Sequence, residues 1–217
     1  MANGLFQRCN GSRWTNTVQK KCNGSVWSDG RIRHCDGSNW YDKYPNKTTE
    51  EKYFNVVWTH AANKNGIMLD AATWGDHPRA GDTVGFTGFF GFDRPAMQAF
   101  VGTSTILSIQ LELLFIDPSH AGNPLCEFYP HVYLSKPTGF ETRRVFKEHM
   151  TTSKFNQTGT NILRWIHMPV SAWMGGDMGG IAVGAAWTAA NSARFAGKTS
   201  SHGVSAFNSR LYIKVQR

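Results

Sequence analysis

The chain reads as all-β: a row of small β-hairpin repeats over residues 1–48, then a jelly-roll-like β-sandwich over residues 53–217. Three observations predict this. A short phrase recurs three times at a spacing of 13 residues: Cys9-Asn10-Gly11-Ser12-Arg13-Trp14, Cys22-Asn23-Gly24-Ser25-Val26-Trp27 and Cys35-Asp36-Gly37-Ser38-Asn39-Trp40. Residues 105–116 then alternate, with Leu107, Ile109, Leu111, Leu113 and Phe115 on one face and Ser108, Gln110 and Glu112 on the other, a period of two that no helix shares. Leu114 and Ile116 break the polar face near the end. Finally, 22 glycines and 8 tryptophans accompany only 18% charged residues, a composition that suits many turns between aromatic strands.

Each N-terminal copy carries Asn-Gly or Asp-Gly between two short extended stretches. Both central residues of a type I′ turn need positive φ, which Asn, Asp and Gly tolerate best. A turn at Asn10-Gly11 sets Cys9 opposite Ser12 and puts Trp14 on the face of Cys9 and Gln7, and the later copies follow the same rule. Two strands bury too little surface to offset an ordering entropy of roughly 1–2 kcal/mol per residue. The three hairpins therefore stack with other copies of the chain, or else fold back on the C-terminal region. The assembly positions on this reading are Cys9, Asn10, Gly11, Trp14, Cys22, Asn23, Gly24, Trp27, Cys35, Asp36, Gly37 and Trp40.

Residues 41–52 form a polar connector with a proline, where a domain boundary belongs. Beyond it, strands are expected at 53–60, 83–92, 105–116, 128–135, 143–149, 161–168, 180–187 and 209–216, with single helical turns at 96–100 and 170–173. About eight strands with long polar loops point to two packed sheets of jelly-roll type. The run Gly175-Gly176-Asp177-Met178-Gly179-Gly180 lacks the Lys-Ser/Thr of a phosphate loop and precedes a strand, so it reads as a turn and not a nucleotide site.

The net charge is +8, and residues 1–48 hold eight basic side chains against three acidic ones. Basic residues interleaved with tryptophans would suit nucleic acid, but here they track the repeat as a solvated strand face would. No nucleic-acid partner is expected; a basic surface equally suits an acidic cell envelope. The first 40 residues contain no apolar run of the signal-peptide kind and nothing later reaches spanning length, so synthesis in a cytosol without membrane insertion is expected. Cys9, Cys22 and Cys35 lack the paired spacing of zinc knuckles, and the eight histidines show no ligand spacing. Neither metal nor cofactor is expected. The 15 acidic residues are mostly isolated, and Glu112 and Glu141 have no evident carboxylate partner of the kind hydrolysis of a glycan needs, so no enzyme is expected.

The N-terminal phrase resembles the repeats (basic residue, small or aromatic residue, Asn-Gly-Ser, any residue, Trp) of virion appendage proteins of tailed bacteriophages, with Cys9, Cys22 and Cys35 standing where an aromatic residue or valine is usual. Residues from about 53 to 217 are similar to the jelly-roll module that follows such repeats in minor tail proteins and fibres. The likeness rests on Gly88-Phe89-Phe90-Gly91-Phe92-Asp93, the strand 106–115, Gly179-Gly180-Ile181-Ala182-Val183-Gly184 and Arg210-Leu211-Tyr212-Ile213-Lys214-Val215. The resemblance implies a non-enzymatic virion protein assembled in the host cytoplasm, a homotrimer docked on other virion proteins through its repeats. It also implies an outward-facing sandwich that binds host-surface carbohydrate. A capsid decoration protein or head fibre without any ligand fits the same residues.

Sugar binding needs an exposed ring to stack on a pyranose and carboxylate, amide or imidazole groups to hold its hydroxyls. Trp74, Asp76, His77 and Arg79 offer that mix in one loop; Asp117, His120 and Asn123 offer the polar part in another. Against this, Trp74 could simply plug one end of the sandwich.

Overall fold

The computed structural model describes residues 6–9, 14–17, 20–22, 27–29, 33–35, 40–42, 47–70, 75–81, 85–117, 125–155, 162–185, 192–199 and 206–217. The chain divides into two compact units, Met1–Lys47 and Thr48–Arg217.

The first unit contains three separate two-stranded antiparallel ribbons. Strands β1 (Phe6–Cys9) and β2 (Trp14–Thr17) pair, as do β3 (Lys20–Cys22) with β4 (Trp27–Asp29) and β5 (Arg33–Cys35) with β6 (Trp40–Asp42). Each ribbon has the same register: Cys9 opposite Trp14, Cys22 opposite Trp27, Cys35 opposite Trp40. The expected turn would have put Ser12 opposite Cys9, so the observed register is shifted by two residues on the second strand. The positions assigned to turns, Asn10, Gly11, Asn23, Gly24, Asp36 and Gly37, lie outside the described residues.

The second unit is a β-sandwich with only antiparallel pairings among its named strands. One sheet runs β13 (Thr151–Lys154), β12 (Leu125–His131), β15 (Gly180–Ala185), β10 (Thr87–Gly91), β8 (Trp58–Ala62). The other runs β7 (Thr49–Asn55), β17 (Arg210–Gln216), β11 (Thr105–Asp117), β16 (Ser192–Phe195), β9 (Arg79–Gly81), with β14 (Ile162–Met168) also on β11. Phe115 pairs with both Ile162 and Phe195, and Ile109 with both Met168 and Ile213. Strands β17 and β16 therefore occupy successive lengths of one edge of β11, and β14 takes the other. From β10 onward the chain passes repeatedly from sheet to sheet, in jelly-roll fashion.

Alternation fills the space between the sheets. Ile109, Leu111, Leu113 and Phe115 from β11 meet Leu211, Ile213 and Val215 from β17 and Phe90, Phe128, Ile181 and Val183 from the facing sheet. Phe155 and Phe195 complete an aromatic centre, with the rings of Phe115 and Phe155 4.9 Å apart and those of Phe155 and Phe195 5.4 Å apart. Cys126 is buried in this core, and desolvation pushes its thiol pKa well above the ordinary range. Between β10 and β11 lies α1 (Arg94–Val101), longer than the single turn expected. Asp93 caps it, accepting the Ala96 N–H at 3.1 Å, and Met97 and Val101 are buried.

A second, smaller core covers the outer side of the five-stranded sheet. Phe89, Tyr129, Tyr133 and Ala182 are buried there beneath Trp58, Met68, Phe140 and Val145. His131 sits in this layer between the rings of Trp58 at 5.5 Å and Tyr133 at 5.6 Å. Its Nε2–H donates to the Phe90 carbonyl (3.1 Å), while its Nδ1 accepts the Tyr133 N–H (3.2 Å). That pair of bonds fixes one neutral tautomer, and burial lowers the pKa from 6.5 to about 3. His60, whose Nε2–H donates to the Leu69 carbonyl at 2.7 Å, is also lowered by burial first and by Lys136 second. Both pKa values fall on folding, so the stability they confer is complete above about pH 6.5 and is lost as the pH drops. Each contributes a slope of up to about 1.4 kcal/mol per pH unit. The unfolding midpoint in urea should fall on going from pH 7 to pH 4.5; an unchanged midpoint means the two rings are not buried and neutral.

Candidate functional site

The outer faces of the two sheets differ in kind. That of the five-stranded sheet is roofed by the chain's own Met68, Phe140 and Val145. That of the six-stranded sheet has no such roof among the described residues, yet it is aromatic where a solvated sheet face is ordinarily polar.

Register builds it. One row across the strands reads Tyr53, Tyr212, Gln110, His167, and the next reads Asn55, Arg210, Glu112, Trp165. The rings of Tyr53 and Tyr212 lie 5.2 Å apart, and Trp165 meets Tyr53 edge-on at 6.3 Å. Tyr53 is 46% exposed and Trp165 38%, with Leu163 exposed beside them. A shallow dish of about 470 Å³ lies over Glu51, Tyr53, Gln110, Trp165, His167 and Tyr212.

Beside the rings runs an ion pair. Arg210 Nε donates to Glu112 Oε2 at 2.5 Å, and the guanidinium stands 4.7 Å over the Tyr53 ring. Glu112 is only 4% exposed although it belongs to an outward position of the sheet. The Tyr212 hydroxyl donates to Glu51 at 2.7 Å, and that bond, with burial, pushes its pKa up to about 12. Tyrosine, tryptophan and arginine beside a covered carboxylate are the residues that anchor protein interfaces. Within the patch around the rings the charges of Glu51, Glu112, Arg210 and Lys214 balance, on a molecule of net charge +8.

Only some of the residues proposed for sugar binding fall among the described residues. Trp74, His120 and Asn123 lie outside the described residues, and Asp117 is placed only by its backbone pairing with Arg194. His77 is 1% exposed, and its Nδ1 accepts the Gly197 N–H at 2.9 Å. Asp76 Oδ2 accepts from Thr59 Oγ1 at 3.2 Å and from the Thr199 N–H at 2.8 Å. These two residues pin the segment 197–199 to β8, which takes His77 off the surface as a sugar ligand. Arg79 belongs to β9, its guanidinium 5.9 Å above the Phe86 ring.

Tyr53, Trp165 and Tyr212 escaped the sequence reading, although all three fall in strands it identified. The available signal was aromatic residues at positions whose alternation marks them as outward.

Among the described residues, no three histidine, cysteine or acidic side chains are grouped to hold a metal, and no helix is long and apolar enough to cross a membrane. No protein-family model matches this chain, and no curated protein sequence matches it.

Proposed function

We propose that this protein is a non-enzymatic structural appendage of a bacteriophage virion. The ribbons of residues 1–47 fasten it to the particle, and sister copies pack their sandwich units through the aromatic face of the six-stranded sheet. The five-stranded sheet and its loops are displayed toward the host surface. The observation that carries this reading is the array of three ribbons in one register, each too small to hold itself folded, beside a separate sandwich unit. Such ribbons gather copies of the chain, and gathered copies then meet at high effective concentration. The charge-balanced aromatic patch is where two molecules of +8 charge meet with the least local repulsion.

This places assembly on both units, whereas the sequence reading put it in residues 1–48 alone. Residues 48–217 produced by themselves should run as an oligomer in multi-angle light scattering at tens of micromolar; a monomer there removes the sandwich contact. Antibody against the same fragment should label purified virions. Label on tails supports a fibre or minor tail protein, label on the shell a decoration protein, and unlabelled particles overturn the appendage reading.

A further inference from the structure

The segment between β12 and β13 is folded firmly onto the outer side of the five-stranded sheet. Val132 N–H donates to the Arg144 carbonyl at 3.1 Å, Phe140 N–H to the Gly66 carbonyl at 2.7 Å and Phe146 N–H to the Pro130 carbonyl at 3.0 Å. The Glu141 N–H donates to the Tyr133 hydroxyl at 2.7 Å, and the Phe140 ring packs 5.6 Å from Phe89. Around this framework open three adjoining clefts. The largest, about 810 Å³, has Arg94 and Arg144 in its walls with Glu141 and Asp177, and Tyr133, Ser135 and Phe140 between them. A second of about 430 Å³ shares Phe140 and adds Lys64 and Arg143, and a third of about 350 Å³ adds Lys147.

Charge is concentrated here. Residues 132–154 hold Lys136, Arg143, Arg144, Lys147 and Lys154 against Glu141 and Glu148, and of these cations Arg143, Arg144 and Lys147 line the clefts. The rest of residues 48–217 holds ten basic and ten acidic side chains, so the whole excess of three positive charges lies in this one segment. Glu141 is shared between two guanidiniums, Arg143 at 2.6 Å and Arg144 at 3.7 Å, and cannot neutralise both. Arg144 is braced over the Tyr133 ring at 5.7 Å, and Lys147 over the Tyr129 ring at 5.4 Å with Glu127 3.6 Å from its ammonium, so the two arginines are the cations most open to a ligand.

We propose that this row of clefts binds an anionic polysaccharide, a sugar polymer carrying phosphodiester or carboxylate groups at regular intervals. The charges contact the anions, and Ser135, Thr138 and Thr142 offer hydroxyls to the sugars. Three clefts around one loop suit a chain rather than a single sugar. Single-stranded nucleic acid is the weaker fit, because base stacking needs open aromatic platforms and Tyr133 and Tyr129 are buried in the wall. The displayed-appendage reading supplies the source of the polymer; the binding itself stands on the clefts.

The test uses the full chain in titration calorimetry with four probes: poly(glycerol phosphate), polygalacturonate, neutral dextran and a single-stranded oligonucleotide of matched charge. One of the two anionic glycans should bind, weakening with added salt, while dextran does not; which one binds tells phosphodiester from carboxylate. Arg143→Glu with Arg144→Glu should weaken it at least about tenfold with the thermal midpoint and oligomeric mass unchanged. Lys52→Glu with Lys198→Glu makes the same charge change elsewhere and should leave affinity nearly intact. The proposal is overturned if neither polyanion binds better than dextran, if the control pair loses as much as the cleft pair, or if the oligonucleotide binds more tightly than both glycans. An intact oligomer that ignores both polyanions sinks this site and leaves the appendage reading standing.

Discussion

Alanine at Gly180 should cost the sandwich at least about 3 kcal/mol, a large share of the 5–15 kcal/mol that holds a domain folded. Gly180 lies where β15 passes between β10 and β12, opposite Gly91 on one side and His131 on the other. A Cβ there would overlap the Phe90 carbonyl oxygen and stand 2.6 Å from His131 Nε2, the two atoms that share a buried hydrogen bond. Either the bond breaks, leaving buried polar atoms unpaired at about 1–3 kcal/mol, or the strands part and the core loosens by a similar amount. Gly180 does not have positive φ, so the whole penalty is steric. Gly175 is the matched control: its φ is 65°, and a Cβ would meet nothing within 4 Å. Alanine there should cost about 1 kcal/mol from backbone conformation alone. Urea unfolding of both variants decides the matter, and equal losses would mean that the crossing at Gly180 is not tight.

What the sequence made legible follows from where the energy comes from. Strands β11, β14 and β17 were readable because one face of each is buried: Ile109, Leu111 and Leu113, then Ile166 and Met168, then Leu211, Ile213 and Val215. Strands β9 and β13, with the sequences RAG and TTSK, carry no such pattern, and β16, SARF, is too short for its buried Ala193 and Phe195 to show a period. Residues 53–60 were read as one strand but are two. Val56 N–H donates to Ser209 and Val57 N–H to Gly91, so the chain passes from one sheet to the other between adjacent residues. Residues 143–149, expected as a strand, instead form 3-10 turns at Thr142–Arg144 and Lys147–His149. Val145 serves instead to roof the sheet: it packs on the second core and makes a single bridge to His131. The helix extends beyond the single turn expected because Asp93 caps it and Pro95 fits its first turn, a start signal that apolar periodicity alone does not carry.

The candidate site was less legible than the fold for a related reason. Asp76 and His77 look like ligand groups in a polar loop, and only the fold shows that Thr59, Gly197 and Thr199 already occupy them. Tyr53, Trp165 and Tyr212 are far apart in the chain and become one surface only through the register of β7, β17, β11 and β14.

Arg210→Met should weaken the fold moderately and association severely. Methionine keeps the apolar stem over Tyr53 but leaves Glu112, 4% exposed, without the guanidinium that compensates it. In the isolated unit Arg210 still has 40% of its side chain in water, so solvent can reach the vacated position and the loss should stay near 2 kcal/mol, the low end for breaking a covered pair. Under a sister copy that water is excluded, and an unpaired carboxylate becomes far more costly. The dissociation constant of the oligomer should therefore rise by about tenfold or more, beyond what the unfolding loss predicts. Adding Glu112→Gln removes the stranded charge and should recover much of both deficits, which a purely steric effect of methionine would not allow. Sedimentation equilibrium and dilute urea unfolding on the single and double variants separate the two quantities. If the fold weakens while the dissociation constant stays the same, no copy covers this face, and the proposed association then rests on residues 1–47 alone.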